Sequence, residues 1–156
     1  METKSIERLR LLHPICRAIA IEAYRQAVKA TPAGVHPYID ETYRSFEESD
    51  KLYQQGRTAP GPIVTKAKGG QSFHNYNLAL DFHLQLNGKD SWVVDHNWML
   101  VVNIFKAHGF TSGLDFPGSF KDAPHLEYKD GFTLAQLYYK HKDGDFISGT
   151  NFVNIT

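Results

Sequence analysis

The chain has 156 residues, of which 42% are hydrophobic, and its 17 Lys and Arg residues balance its 17 Asp and Glu residues. This composition is typical of a globular domain, and the zero net charge gives no electrostatic argument for nucleic acid or an anionic membrane as a partner. No apolar run approaches the ~20 residues of a membrane helix. Cys16 is the only cysteine, which excludes an internal disulfide and a thiolate metal site. Residues 1–5 include the charged residues Glu2 and Lys4, and no clean apolar stretch follows them, so we expect synthesis in the cytoplasm without a signal peptide.

The first third of the chain predicts two helical segments with a strand between them. Apolar residues recur at intervals of three and four over 6–30, which is typical of an amphipathic helix. Pro14 should kink that helix or split it in two. Residues 38–43 are a short strand candidate. The run Ser45-Phe46-Glu47-Glu48 matches a capping box, so we expect a helix over 45–55 that the next glycine ends.

Alternating apolar and polar residues predict a strand over 79–86. The apolar face comprises Leu80, Phe82, Leu84 and Leu86. The other face comprises Ala79, Asp81, His83 and Gln85. Successive side chains point to opposite sides of a strand, so Asp81 should meet water, a cavity or a metal. We expect His83, on the same face, to be exposed or half-buried.

The remaining segments are less regular. A long Gly- and Pro-rich loop is predicted over 57–73, a capped helix over 95–108, and a short strand over 126–128. Residues 131–156 form a C-terminal extension whose structure and role the pattern does not predict. Helices and strands without a regular βαβ rhythm predict an α+β fold. We expect a small antiparallel sheet flanked by helices, in a single domain over 1–156.

Two histidines and two aspartates have spacings that could bring them to one point. His74 precedes Asp81 by seven residues, across asparagines that favour turns, and Asp122 precedes His125 by three, with Pro124 between them. Catalytic zinc sites use three nitrogen or oxygen ligands and leave a position for water. A further acid near that water can act as general base. The spacing favours a zinc hydrolase with its metal in a central cleft, although eight histidines also produce such spacings by chance.

Several motifs occur in a fixed order over residues 38–128. Ser72, His74 and Asp81 are followed by Asp122 and His125. Further matching stretches are 43–48, 52–57, 60–61, 64–65, 67–70 and 120–125. This order resembles the family of zinc D-alanyl-D-alanine carboxypeptidases and L-alanyl-D-glutamate endopeptidases. The Lys-Gly-Gly-x-Ser-x-His and Lys-Asp-x-Pro-His forms are most similar to the endopeptidase branch of phage endolysins and bacterial cell-wall hydrolases.

The resemblance implies roles for individual residues. The implied zinc ligands are His74, Asp81 and His125. Asp122 matches the catalytic acid, where many relatives have glutamate. Arg44 matches an arginine that contacts the substrate or its developing oxyanion, and Ser72 matches a residue lining the substrate cleft. Where endopeptidase relatives often carry tryptophans, this chain has Gly113-Leu114-Asp115-Phe116, a departure that concerns peptide specificity.

The resemblance also implies a reaction, namely hydrolysis of the stem peptides of bacterial peptidoglycan between L-alanine and D-glutamate. Asp122 would accept a proton from water and return it to the leaving amine, while zinc and Arg44 hold the negative oxygen. The implied partner is the peptidoglycan peptide, without nucleic acid or a membrane span. The protein is expected to act on the cell wall as a monomer, after holin-type release.

Other functions stay open at this point. A D-alanyl-D-alanine carboxypeptidase or dipeptidase would use Arg44 or Arg57 to bind the free carboxylate of its substrate. A zinc-containing module without catalysis would bind the cell wall or another protein, although the presence of Asp122 argues against it. A phage tail or baseplate part that digests the wall is a third alternative.

Some of these residues have simpler explanations. Arg44 could form an ion pair with Glu47 or Glu48 of the following helix, and Asp122 could be a loop carboxylate beside a lysine. Glu127 follows His125 by two residues on the same strand face. It could orient that imidazole, but we do not count it among the catalytic residues.

Overall fold

The computed structural model describes residues 2–155. Its helices are α1 (Glu2–Leu9), α2 (Pro14–Ala30), α3 (Phe46–Gln54), α4 (His96–Ala107) and α5 (Leu134–Lys142). Pro14 splits the predicted N-terminal helix and becomes the first residue of α2, where a missing N–H costs nothing. The capping box of Ser45 begins α3, and Asp95 caps α4, both as predicted. None of the described helices is both long and apolar enough to cross a membrane.

Within the described residues, five strands form one antiparallel sheet. They are β1 (Val35–Glu41), β2 (Ala79–Leu86), β3 (Lys89–Ser91), β4 (Thr111–Ser112) and β5 (His125–Glu127). Their order is β1-β2-β5-β4, and β3 forms a hairpin with the end of β2. The predicted α+β fold, with a small antiparallel sheet and flanking helices, is confirmed.

The core lies between the sheet and three of the helices. Helices α1 and α2 pack against β1, and α2 packs against α4. Leu80, Phe82 and Leu84 of β2 are buried, as predicted, and the ring of Phe82 lies 4.6 Å from that of Trp98 in α4. Leu86, at the end of the strand, is only half-buried. Burial of each large apolar side chain contributes roughly 1.5–3 kcal/mol, so this layer fixes β2 as the central strand.

The prediction for His83 is wrong, because its side chain is buried. Its Nδ1 lies 2.9 Å from both carboxylate oxygens of Asp40, and its Nε2 lies 3.1 Å from Asp90 Oδ1. The pairing of β1 with β2 shifts register between Ile39 and Glu41. Asp40 is the extra residue at this irregularity, and its carboxylate reaches the histidine. Alternation within one strand cannot show that neighbouring strands supply such partners.

The C-terminal extension contains α5, which the sequence pattern did not predict. Thr133 begins this helix with a capping box, but Leu137 is its only fully buried residue, so its apolar periodicity is weak. After the helix, Phe146 and Val153 form an antiparallel bridge. The carbonyl oxygen of Val153 lies 2.8 Å from His13 Nε2, which attaches the extension to the start of α2.

We expect the free energy of unfolding to fall as the pH drops below 6.5, partly because of His13. Its Nδ1 accepts the N–H of Ile15 and its Nε2 donates to Val153, so the neutral ring satisfies both contacts. Burial lowers the pKa of His13 below 6.5, against the opposing effect of the Val153 hydrogen bond. The unfolded chain therefore binds the proton more readily, and stability present above pH 6.5 is lost as the pH falls.

The variant His13→Asn tests this expectation. Asparagine keeps a helix-capping acceptor but loses the contact with Val153, which should cost about 1–2 kcal/mol at pH 7.5. Urea unfolding at pH 7.5 and 5.5 should show a smaller loss of stability on acidification for the variant than for the wild type. Equal losses in both proteins would contradict the assignment.

Candidate metal centre

The sheet register places three acidic and basic side chains side by side. Glu41 of β1 is paired with Asp81 of β2, and Asp81 is paired with His125 of β5. His74 comes from a 3₁₀ helix, Phe73–Tyr76, directly before β2. The structure therefore brings together the three residues that the sequence predicted as metal ligands. One donor atom from each of His74, Asp81 and His125 lies within 4.8 Å of the others.

The 3₁₀ helix that carries His74 is held by the side chains of Ser72 and Asn75. Ser72 Oγ accepts the N–H of His74 at 3.3 Å, and Asn75 Oδ1 accepts the N–H of Ser72 at 3.2 Å. The amide of Asn75, which is buried, donates to the carbonyl of Arg44 and to Ser49 Oγ, both at 2.9 Å. Ser72 lines the cleft, and its hydroxyl also shapes the turn that presents His74. Sequence reasoning gave Asn75 only a general preference for turns and no contact with these segments.

The spacing of the three donor atoms fits zinc. His74 Nε2 lies 3.2 Å from Asp81 Oδ1 and 3.2 Å from His125 Nδ1, and His125 Nδ1 lies 3.3 Å from Asp81 Oδ1. Ligand atoms at about 2.0–2.1 Å from a tetrahedral ion are separated by roughly 3.3–3.4 Å. Two imidazole nitrogens and one carboxylate oxygen are also donors that catalytic zinc sites use.

Hydrogen bonds on the far side of each imidazole determine which nitrogen faces the cluster as a donor atom. His74 Nδ1 lies 2.9 Å from the carbonyl oxygen of Thr42, which can only accept, so Nδ1 carries the hydrogen. His125 Nε2 lies 2.7 Å from Glu127 Oε2, and Glu127 is buried. Each ring therefore presents its other nitrogen to the cluster. Partners of this kind orient metal-binding histidines and raise their basicity.

The charges of the cluster are strongly coupled. Burial by itself raises the pKa of Asp81, but hydrogen bonds from His125 and His74 hold the pKa of this carboxyl well below its ordinary value. Burial lowers the pKa of His125, but the hydrogen bonds to Asp81 and Glu127 outweigh it and raise the pKa to about 9. A metal must displace this proton, because only the neutral imidazole can be a ligand.

Arg44 lies beside the cluster, held by an acid that sequence reasoning missed. Among the described residues it pairs with Glu41 and not with Glu47 or Glu48: its Nε donates to Glu41 Oε1 at 2.9 Å, and its Nη2 contacts the other carboxylate oxygen. Arg44 Nη2 is also 4.0 Å from Asp81 Oδ2. Burial by itself lowers the pKa of Arg44, but the hydrogen bond and charge of Glu41 outweigh this effect, so the pKa is raised above its ordinary value. The guanidinium of Arg44 is therefore fixed at the edge of the site.

Asp122 lines the same cleft with a carboxylate that accepts no hydrogen bond from any described residue. Burial raises the pKa of Asp122, and the negative charge of Asp81 adds to this effect. Its backbone is fixed on both sides: its N–H donates to the carbonyl of Gly113 at 3.0 Å, and its own carbonyl accepts the N–H of His125 at 3.2 Å. Asp122 is thus a half-buried acid with a fixed backbone and a free side chain.

Gly113 permits this close approach. A Cβ atom added to Gly113 would lie 2.1 Å from the carbonyl oxygen of Asp122, which is far inside van der Waals contact. Any other residue at 113 would therefore displace Asp122. In the sequence, Gly113 was notable only as the first residue of the run 113–116, which differs from the tryptophan-containing run of endopeptidase relatives. Its contact with Asp122, the predicted catalytic acid, is visible only in the structure.

The cluster opens into a cleft of about 860 Å³. Phe116, from the same departing run, lies in its wall with its ring 5.7 Å from that of His125. Lys66 and Lys129 also line the cleft. Arg57 does not: its guanidinium donates to backbone carbonyls of residues 53 and 65 and stacks on Tyr53. Arg57 thus supports the long loop and is not placed to bind a substrate in this cleft.

We expect Glu127→Gln to weaken zinc binding by roughly 10- to 100-fold, because a neutral amide orients His125 less strongly and raises its basicity less. Competition with a chromophoric chelator measures this affinity. The matched control is Asp90→Asn, which removes a carboxylate from His83, a buried histidine outside the cluster. Equal zinc affinities for Glu127→Gln and the wild type would show that Glu127 does not tune the site.

Comparisons with known proteins found a matching family model, a similar characterised protein and a crystal structure with a similar fold. The sequence model of the family described as D-alanyl-D-alanine carboxypeptidase matches residues 65–128. The chain is 46% identical over 127 residues to the peptidoglycan L-alanyl-D-glutamate endopeptidase CwlK of Bacillus subtilis (strain 168), covering 74% of this chain and 72% of that protein. The crystal structure of the L-Ala D-Glu endopeptidase ChiX of Serratia marcescens has a similar fold, with a TM-score of 0.61. That match has 19% identity and covers 82% of this chain and 88% of the other.

Proposed function

Since this chain belongs to the D-alanyl-D-alanine carboxypeptidase family of zinc-dependent peptidases, we propose that it hydrolyses the stem peptides of bacterial peptidoglycan. The bond cleaved in this proposal joins L-alanine to D-glutamate. The observation that carries the choice of bond is the 46% identity to a peptidoglycan L-alanyl-D-glutamate endopeptidase. The His74, Asp81 and His125 cluster supports a hydrolytic metal site in the same chain.

In this proposal one zinc ion is held by His74 Nε2, the Asp81 carboxylate and His125 Nδ1. Bound zinc supplies Lewis acidity, which makes water more acidic and polarises a carbonyl group. The donor spacing near 3.3 Å and the two oriented imidazoles support this assignment.

The other steps belong to residues of the chain itself. Asp122 accepts the proton of the attacking water and delivers it to the leaving amine, which is otherwise a poor leaving group. Its unpartnered carboxylate and raised pKa suit both tasks. Arg44, oriented by Glu41, stabilises the negative oxygen that develops on the scissile carbonyl. Ser72 lines the cleft near His74 and contributes to the surface that receives the peptide.

Two lysines in the walls of the cleft can bind an acidic group of the peptide. D-Glutamate in the stem is linked through its side chain, so its α-carboxylate stays free next to the scissile bond. Lys66 Nζ lies 5.0 Å from the ring centre of Phe120, and Lys129 Nζ lies 3.3 Å from Glu127 Oε1. Both lysines line the cleft and can attract such a carboxylate.

Product analysis on purified muropeptides tests the proposal. Mass spectrometry should find new products with N-terminal D-glutamate in zinc-replete buffer. Release of free D-alanine instead would favour a carboxypeptidase, and binding of sacculi without any solubilised product would favour a non-catalytic module. The proposal also includes a single catalytic domain over 1–156, which reaches the cell wall by a holin-type route and acts there as a monomer. Sedimentation equilibrium would check the monomeric state.

A further inference from the structure

A second cleft, of about 690 Å³, lies beside the C-terminal extension. Residues 149–153 of the extension form one wall, and Arg10 and Leu11 at the end of α1 form another. Tyr43 stands at its edge with 48% of its surface exposed. Residues 75–77, which follow His74, also line the cleft. The proposed catalysis makes no use of this cleft.

The chemistry of the second cleft differs from that of the metal centre. No carboxylate occurs among its described lining residues, whereas Glu41, Asp81, Asp122 and Glu127 all line the first. Tyr43 and Phe146 offer aromatic surface. The side chains of Tyr43, Arg10 and Asn151 make no hydrogen bond to another described residue, so they can bind a ligand. Aromatic surface with a few free polar groups suits a ligand that has apolar faces and many hydroxyl or amide groups.

The two clefts share a wall. Tyr43 lines the second cleft and its neighbour Arg44 lines the first. Asn75 likewise follows His74, and its amide donates to the carbonyl of Arg44 at 2.9 Å, which ties the two segments together. In peptidoglycan, the L-alanine of the stem is attached through a lactyl group to an N-acetylated amino sugar. A stem peptide bound for cleavage at this L-alanine therefore has its sugar within one residue of the metal centre.

We propose that the second cleft binds the glycan strand of peptidoglycan while the stem peptide lies in the first cleft. This inference rests on the proposed function, because that function brings the glycan to the shared wall. Tyr43 stacks on the face of a sugar ring, and Arg10 and Asn151 bind its hydroxyl and acetamido groups. Most of the lining residues lie outside 65–128, the span that the family model matches, so this cleft is not a consequence of the matched region alone.

The test compares two substrates and single substitutions at three exposed positions. Tyr43→Ala and Asn151→Ala each remove one contact of the second cleft. Tyr139→Ala is the matched control, because Tyr139 is 61% exposed and lines neither cleft. The substrates are intact sacculi and a sugar-free stem tripeptide that begins with L-alanine and D-glutamate. The binding probe is glycan strands freed of stem peptides by an amidase, added to the isotope-labelled wild-type protein.

We expect Tyr43→Ala to lower kcat/KM on sacculi about three- to tenfold, because one aromatic contact is lost. On the tripeptide, kcat/KM should change by less than about twofold. Tyr139→Ala should change neither. The peptide-free glycan should shift the backbone NMR signals of residues 149–153. An equal loss on both substrates, or no shift at millimolar glycan, would overturn the inference. If the wild type cleaves neither substrate, the proposed function fails, and the glycan titration still decides the inference.

Discussion

Replacing Asp122 with asparagine is expected to lower kcat on the stem peptide by about 10²- to 10⁴-fold, the usual contribution of a general acid or base. Asparagine is nearly the same size but cannot accept the proton of water. The carboxylate of Asp122 is not among the three clustered donor atoms, so the zinc content should stay at one ion per chain. Steady-state kinetics and elemental analysis on the same samples measure both quantities.

The control for this variant is Asp115→Asn. Asp115 lies in the same region of the chain, but its exposed carboxylate pairs with Lys106 at 2.6 Å and does not line the cleft. We expect this variant to keep nearly full activity. Asp122→Asn with more than about a tenth of wild-type kcat would remove Asp122 from the proposed proton transfer. Loss of zinc together with activity would instead assign Asp122 to metal binding.

Removal of any one of the three donor side chains is expected to abolish both stoichiometric zinc and activity. His74→Ala, Asp81→Ala and His125→Ala each leave two donors, whereas catalytic zinc sites use three protein ligands. Elemental analysis after dialysis should find well under one ion per chain. The wild type should also melt at a lower temperature after chelation, since a ligand that binds only the folded state stabilises it.

His83→Ala is the matched control for the ligand variants. His83 is also a buried histidine with carboxylates on both sides, but its two ring nitrogens face Asp40 and Asp90 on opposite sides, so they do not converge on a third donor. This variant should lose stability and keep its zinc. If His83→Ala loses zinc as completely as the ligand variants do, then zinc loss reports general unfolding. If His74→Ala keeps a full zinc ion, the ligand set is wrong.

Local rules predicted the parts of the fold that depend on neighbouring residues. The capping box of Ser45, the cap of Asp95 and the break at Pro14 were predictable because each depends on a few consecutive residues. The extent of β2 was predictable because its alternation is strong. Helix α5 was not, because it buries little and its Tyr138 and His141 rings stack on Phe46, which is distant in the chain.

The residues of the metal centre were predicted, but their supporting partners largely were not. Motif order pointed to His74, Asp81 and His125, and the sheet register and the 3₁₀ helix before β2 bring these three side chains together. The carbonyl of Thr42 accepts a hydrogen bond from His74, and the carboxylate of Glu41 accepts one from Arg44. These contacts depend on strand pairing and a turn, and neither leaves a pattern in the sequence. Partners of this kind depend on tertiary geometry, which periodicity does not encode.

The contact between Gly113 and Asp122 limits how the enzyme can be redesigned. A library that aims at new peptide preferences would randomise the rim of the cleft, whose lining includes Phe116 and Phe120. Position 113 has to be kept as glycine in such a library, because even one methyl group there would collide with the backbone of Asp122. Peptide selectivity can therefore change by exchange of the aromatic residues at this rim, whereas Gly113 beneath the rim cannot be replaced by a larger residue.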